Sequence, residues 1–139
     1  MDINELKNYL NEAWSEVTCV PSLRNEWNEY NPSLGQCAIT ALIVNDYFGG
    51  KIMRCMTSIE SHYYNIIEGK IVDLTKEQFL GEIPDYIRGE ERTREYLLSN
   101  KDTEKRYNIL KENLYNLINE EYIKQRKMNR RWFKWMIYF

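Results

Sequence analysis

Apolar positions recur at helical spacing over residues 3–17: Leu6, Tyr9, Leu10, Ala13, Trp14 and Val17 share one face, and Asp2 is placed to cap it. Residues 18–35 carry Pro21, Pro32, Ser33 and Gly35 and no period, which predicts a loop. The pattern changes sharply at Gln36. From there to Phe48 the chain is apolar almost all round, through Cys37, Ala38, Ile39, Ala41, Leu42, Ile43, Val44, Tyr47 and Phe48. Such a helix belongs in the core, and Gly49-Gly50 ends it.

Three strands are predicted next, over Lys51–Thr57, His62–Ile67 and Ile71–Thr75, the last two forming a hairpin about Glu68-Gly69-Lys70. Thr75 to Leu80 reads as one helical turn with Thr75 as cap. Residues 81–92 are ambiguous, because Gly81, Pro84 and Gly89 break any long element. A short helix through Arg94, Tyr96, Leu97 and Leu98 follows. Asp102 or Thr103 then caps a final helix whose apolar face is Tyr107, Leu110, Leu114, Leu117 and Ile118, extended by Tyr122. The predicted architecture is α+β: a central buried helix on a small antiparallel sheet, with flanking N- and C-terminal helices.

Composition narrows the class. The chain has 139 residues, one domain's worth, and 43% hydrophobic against 29% charged residues, so a folded core is the expectation rather than disorder. A net charge of −2 excludes a generic polyanion binder, and no specific nucleic-acid partner is expected. Residues 124–139 are the exception. They hold six Lys or Arg, no Asp or Glu, and a run of aromatic rings. That extension is expected to dock its rings on the domain or on a second copy, giving a homodimer, with an anionic membrane surface or nucleic acid as the weaker readings. No apolar run approaches a membrane span. The three cysteines, Cys19, Cys37 and Cys55, are odd in number and widely spaced, which predicts free thiols in a reducing compartment. With an N-terminus of acids and amides, the expected location is the cytoplasm. One His and scattered acids make no metal-ligand set, and Gly49-Gly50 lacks the spacing and Lys of a phosphate loop.

Candidate chemistry gathers at Cys37. It opens the buried helix, where unpartnered backbone N–H groups and the helix dipole favour a thiolate and suit a developing oxyanion. His62 is the single histidine, and Asp73 sits between Val72 and Leu74, an expensive place for a charge unless it is paired. If Glu68-Gly69 is a two-residue turn, His62 faces Thr75 and Tyr64 faces Asp73, so His62 and Asp73 are diagonal neighbours on one face. A three-residue turn puts them on opposite faces. In the first case Cys37 is the nucleophile, His62 its base and Asp73 the orienting carboxylate. Gln36 and Asn31 are candidate oxyanion or substrate-positioning amides, and Asn65 is the substitute orienting group. The bland readings stand beside these: Cys37 as a small core residue, His62 as a satisfied structural histidine, Asp73 as a cap for the turn near Thr75. Cys19 and Cys55 read as structural.

The order of a helix Cys, a strand His and a next-strand Asp is similar to papain-like and transglutaminase-like enzymes, and implies such a core. Four stretches are more specific: Asn31-Pro32-Ser33-Leu34-Gly35-Gln36-Cys37-Ala38-Ile39-Thr40-Ala41-Leu42, Asp46-Tyr47-Phe48-Gly49-Gly50, Ser61-His62-Tyr63-Tyr64-Asn65, and Val72-Asp73-Leu74-Thr75 with Gln78-Phe79. Together they resemble the YunG-like family of small bacterial proteins, over roughly residues 15–115. That family brings no assigned reaction. The expected function is a cysteine-dependent hydrolase or acyl-transferase acting, without a cofactor, on an amide, ester or thioester of a peptide or small molecule. The rival is a non-catalytic binding module, dimeric through residues 124–139, with Cys37 in its core.

Overall fold

The computed structural model describes residues 1–58 and 60–138. Its elements, in chain order, are α1 (Ile3–Ala13), α2 (Cys37–Phe48), β1 (Lys51–Met56), β2 (Ser61–Ile67), β3 (Lys70–Val72), β4 (Glu90–Arg92), α3 (Arg94–Leu98) and α4 (Lys101–Tyr138). Short 3-10 turns fill Pro21–Glu26, Lys76–Phe79 and Tyr86–Arg88. The fold is α+β, with one antiparallel four-stranded sheet ordered β3-β2-β1-β4.

The all-round apolar segment is the centre of the molecule. Ile39 to Val44 are six consecutive buried residues of α2. Leu6 and Leu10 of α1, Ile52 of β1 and Leu110 and Leu114 of α4 complete the cluster around them. Each such side chain gains roughly 1.5–3 kcal/mol from burial. Polar bonds fix orientation within this apolar contact. Trp14 Nε1 donates to Thr40 Oγ1 at 2.9 Å, and Asn65 Nδ2 donates from β2 to the Ala41 carbonyl at 3.0 Å. Arg94 anchors the second half of α2 by donating to the Leu42 carbonyl and to Asn45 Oδ1.

Several boundaries differ from the sequence reading. α1 stops at Ala13: Trp14 turns extended, and Val17, expected on the apolar face, is exposed. The last helix is capped by Asn100 rather than by Asp102 or Thr103. Asn100 Oδ1 accepts the Thr103 N–H at 3.1 Å, while Asp102 is spent on Arg106. β4 lies inside the ambiguous stretch, as a three-residue edge strand too short and too charged to show a pattern. Residues 119–138 are exposed throughout, so the basic-aromatic extension continues α4 beyond its packed half and is not buried on the domain as expected.

The hairpin has the two-residue turn. Asn65 pairs with Val72, Ile66 with Ile71 and Ile67 with Lys70. Glu68 and Gly69 both take positive φ, 51° and 77°, as a type I′ turn requires. Glutamate is a poor residue for that region, where asparagine is tolerated best after glycine. Glu68→Asn is therefore expected to raise unfolding free energy by about 0.5–1 kcal/mol in urea titration. An unchanged midpoint would speak against this turn.

Candidate active site

β2 and the end of β3 bring His62 and Asp73 together. The ladder ends at Val72, so Asp73 sits one residue past the strand, where its side chain swings under β2. His62 Nε2 meets Asp73 Oδ2 at 2.6 Å, with 0% and 3% of the two side chains exposed. Asp73 holds three further donors. Tyr86 OH donates to Oδ2 at 2.6 Å, and Thr75 donates to Oδ1 through its backbone N–H at 3.2 Å and its hydroxyl at 3.4 Å. Asp73 thus serves the turn near Thr75 with one oxygen and the imidazole with the other.

A carboxylate only accepts, so Nε2 carries the proton of the neutral ring. The remaining nitrogen, Nδ1, then presents a lone pair. It is buried and makes no formed hydrogen bond. Burial weighs most on the charged imidazolium and lowers its pKa. The hydrogen bond to Asp73, the nearby Cys37 thiol and the charges of both outweigh burial and lift His62 to about 9. Cys37 is near enough to act on the ring electrostatically, with no hydrogen bond formed between its thiol and Nδ1. Phe79 stands edge-on to that ring, with centroids 4.7 Å apart, and Tyr64 stacks beside it at 6.3 Å.

Cys37 is the first residue of α2 and is half-buried, whereas Cys19 and Cys55 are buried. Burial lifts both of those thiols to about 11, and Asp73 adds to the shift of Cys55. Cys37 opens onto a cleft of about 550 Å³ whose walls include Ala38, Ser61, Tyr63, Asn100 and Arg106. No hydrogen-bond partner is present for the N–H groups of Cys37, Ala38 and Ile39 among the described residues. Gly35 sets the approach to the helix. At φ +69° any Cβ there would lie 2.5 Å from Cys19 Sγ. Its N–H donates to Gln78 Oε1, from the turn that follows Asp73.

The structure places the other sequence candidates elsewhere. Gln36 is fully buried, and its amide donates to the Ser15 carbonyl at 3.0 Å, away from the cleft. Asn31 sits in the turn ahead of α2 and does not line the cleft. Asn65 is used on the Ala41 carbonyl and does not reach His62. Tyr86, which the sequence did not single out, lies in the patternless 81–92 stretch, where no spacing marks it. Among the described residues no three His, Cys, Asp or Glu side chains gather as metal ligands, and no helix is long and apolar enough to cross a membrane.

The single imidazole gives a direct readout. Because folding raises the His62 pKa, the stability linked to its proton is complete below about 6.5 and is lost as pH rises through 9. The His62 Hε1 resonance is expected to titrate near 9 in the wild type. In Asp73→Asn the midpoint should fall by about 2 units or more, because burial then dominates. An unmoved midpoint would contradict the pairing.

The YunG protein family model matches residues 2–119. The Bacillus subtilis (strain 168) protein named "Uncharacterized protein YunG" is 38% identical over 77 residues, which is 55% of this chain and 63% of that protein. The match thus spans less than two thirds of that relative. No solved structure matches the chain. Taken with the Cys37, His62 and Asp73 stretches that the match includes, this establishes that the chain belongs to the YunG family.

Proposed function

We propose that the chain is a cysteine-dependent hydrolase or acyl-transferase working through Cys37, His62 and Asp73. One observation carries the reading: the half-buried thiol opens onto a cleft, beside an imidazole held by a buried carboxylate. The core reading of Cys37 suits Cys19 and Cys55, which are buried, better than it suits a half-buried residue on the wall of the larger cleft.

The steps follow from the atoms. The Cys37 proton passes to His62 Nδ1, and Asp73 holds the imidazolium through Nε2. The thiolate attacks the carbonyl carbon of an amide, ester or thioester. Negative charge then builds on the carbonyl oxygen, and the free first-turn N–H groups of α2 are donors for it. Collapse expels the leaving group, which takes the proton from His62, and a thioester to Cys37 remains. Water or an acceptor nucleophile, deprotonated by His62, attacks that thioester and frees the thiol. Backbone donors replace the Gln36 or Asn31 amide considered from sequence. The helix-Cys, strand-His, Asp order is similar to papain-like and transglutaminase-like cores, and this similarity of layout supports the reaction class without naming a substrate.

Intact-mass analysis with p-nitrophenyl acetate tests the reading. An acetyl adduct is expected on Cys37, absent in Cys37→Ala and formed about 100-fold more slowly or worse in His62→Ala. No adduct on Cys37, or one indifferent to His62, would refute it.

A further inference from the structure

α4 is 38 residues long, and only its first half is packed. Thr103, Arg106, Tyr107, Leu110 and Leu114 are buried, while residues 119–138 are exposed throughout. The apolar stripe does not stop where the packing stops. At the helical rotation of about 100° per residue, Met128, Trp132 and Met136 fall on the face that carries Leu110, Leu114 and Leu117. They are 61%, 61% and 47% exposed. Arg126, Lys127, Arg130 and Lys134 lie on the opposite arc, and Lys124 and Arg131 flank the apolar stripe.

A complementary surface lies at the root of the same helix. α1 and α4 enclose a groove of about 310 Å³ floored by Tyr9 and Leu117 and rimmed by Glu5, Glu12, Glu120 and Glu121, with Lys124 the one cation among its lining residues. Three of those glutamates, Glu121, Glu5 and Glu12, follow burial among the causes that raise the Tyr9 pKa, a sign of negative potential there. Charge is divided the same way along the whole chain. Six of the nineteen cations and none of the twenty-one acids lie in residues 124–139, leaving thirteen cations against twenty-one acids, or −8, in residues 1–123.

We infer that two copies of this chain pair through their α4 extensions. Each extension runs antiparallel to its partner's α4 and lays Met128, Trp132 and Met136 over Tyr9 and Leu117 of the other copy. Lys127 and Arg131 come beside the glutamate rim. The groove then receives a third helix, and the contact is made twice about a two-fold axis, so it closes. A second copy is favoured over an anionic bilayer because the chain carries both halves of the contact, and its −8 remainder is repelled by such a surface. The groove shares no lining residue with the Cys37 cleft, so this inference stands apart from the proposed activity.

Sedimentation velocity on the full chain is the test. A monomer–dimer equilibrium is expected, weakened about tenfold or more by raising NaCl to about 0.5 M. Met128→Ser with Trp132→Ser should leave a monomer of unchanged circular dichroism, since both residues are exposed. Glu120→Lys with Glu121→Lys should weaken the dimer, and adding Lys127→Glu with Arg131→Glu should restore it. A wild-type monomer at every concentration, open-ended oligomers, or no restoration by the charge swap would overturn the inference. So would a monomer that co-sediments with phosphatidylserine vesicles through residues 124–138.

Discussion

A carboxylate with almost none of its side chain in water is tolerable only where donors surround it, and Asp73 is that carboxylate. Its donors come from β2, from the turn at Thr75 and from the 3-10 turn at Tyr86. Satisfying one charge therefore ties three segments that no ladder joins. The same bonds orient the imidazole: Nε2 is committed as a donor to Asp73, and Nδ1 is the nitrogen left without a hydrogen-bond partner. Removing one partner of such a pair costs about 3–5 kcal/mol, because the other stays buried and unpaired. The rings of Phe79 and Tyr64 flank the imidazole, so its electrostatics are those of a low-dielectric site.

The thiol arrives from the other side of the fold. α2 is held by its apolar girth, and its start is set by Gly35, whose backbone fits against Cys19 only because it lacks a Cβ. Gln78 connects the two halves, accepting from Gly35 while lying five residues beyond Asp73. Cys37 thus stands at the end of α2 where backbone donors are free, and at the other end the Gly49 N–H caps the Asn45 carbonyl. Helix polarity sets Cys37 on the cleft wall, and the hairpin holds His62 buried against Asp73.

Much of this was legible because the signals were local. The all-round apolar pattern placed α2, and Gly49-Gly50 placed its end. The two-residue turn gave the register that sets His62 near Asp73, since pairing arithmetic follows from the turn alone. Non-local features were not legible. Tyr86 meets Asp73 across 13 residues of patternless chain. Gln36 stands beside Cys37 in sequence, yet the helix start turns its amide toward Ser15. Asn65 was drawn away by the Ala41 carbonyl of α2. Asp102 had the look of a cap, but Asn100 holds the free N–H. In each case the deciding partner comes from tertiary packing or from the exact turn at which a helix begins.

The central claim is that His62, held by Asp73, activates the Cys37 thiol. Alkylation of the native chain by iodoacetamide at about pH 6, read at each cysteine by peptide mass spectrometry, tests it most directly, with buried Cys19 and Cys55 as internal references. An ordinary thiol is under about 1% ionised at that pH. An activated Cys37 reacts about tenfold or more faster than a free thiol, and His62→Ala removes that advantage. A Cys37 that reacts no faster than a free thiol, and at the same rate with or without His62, would contradict it.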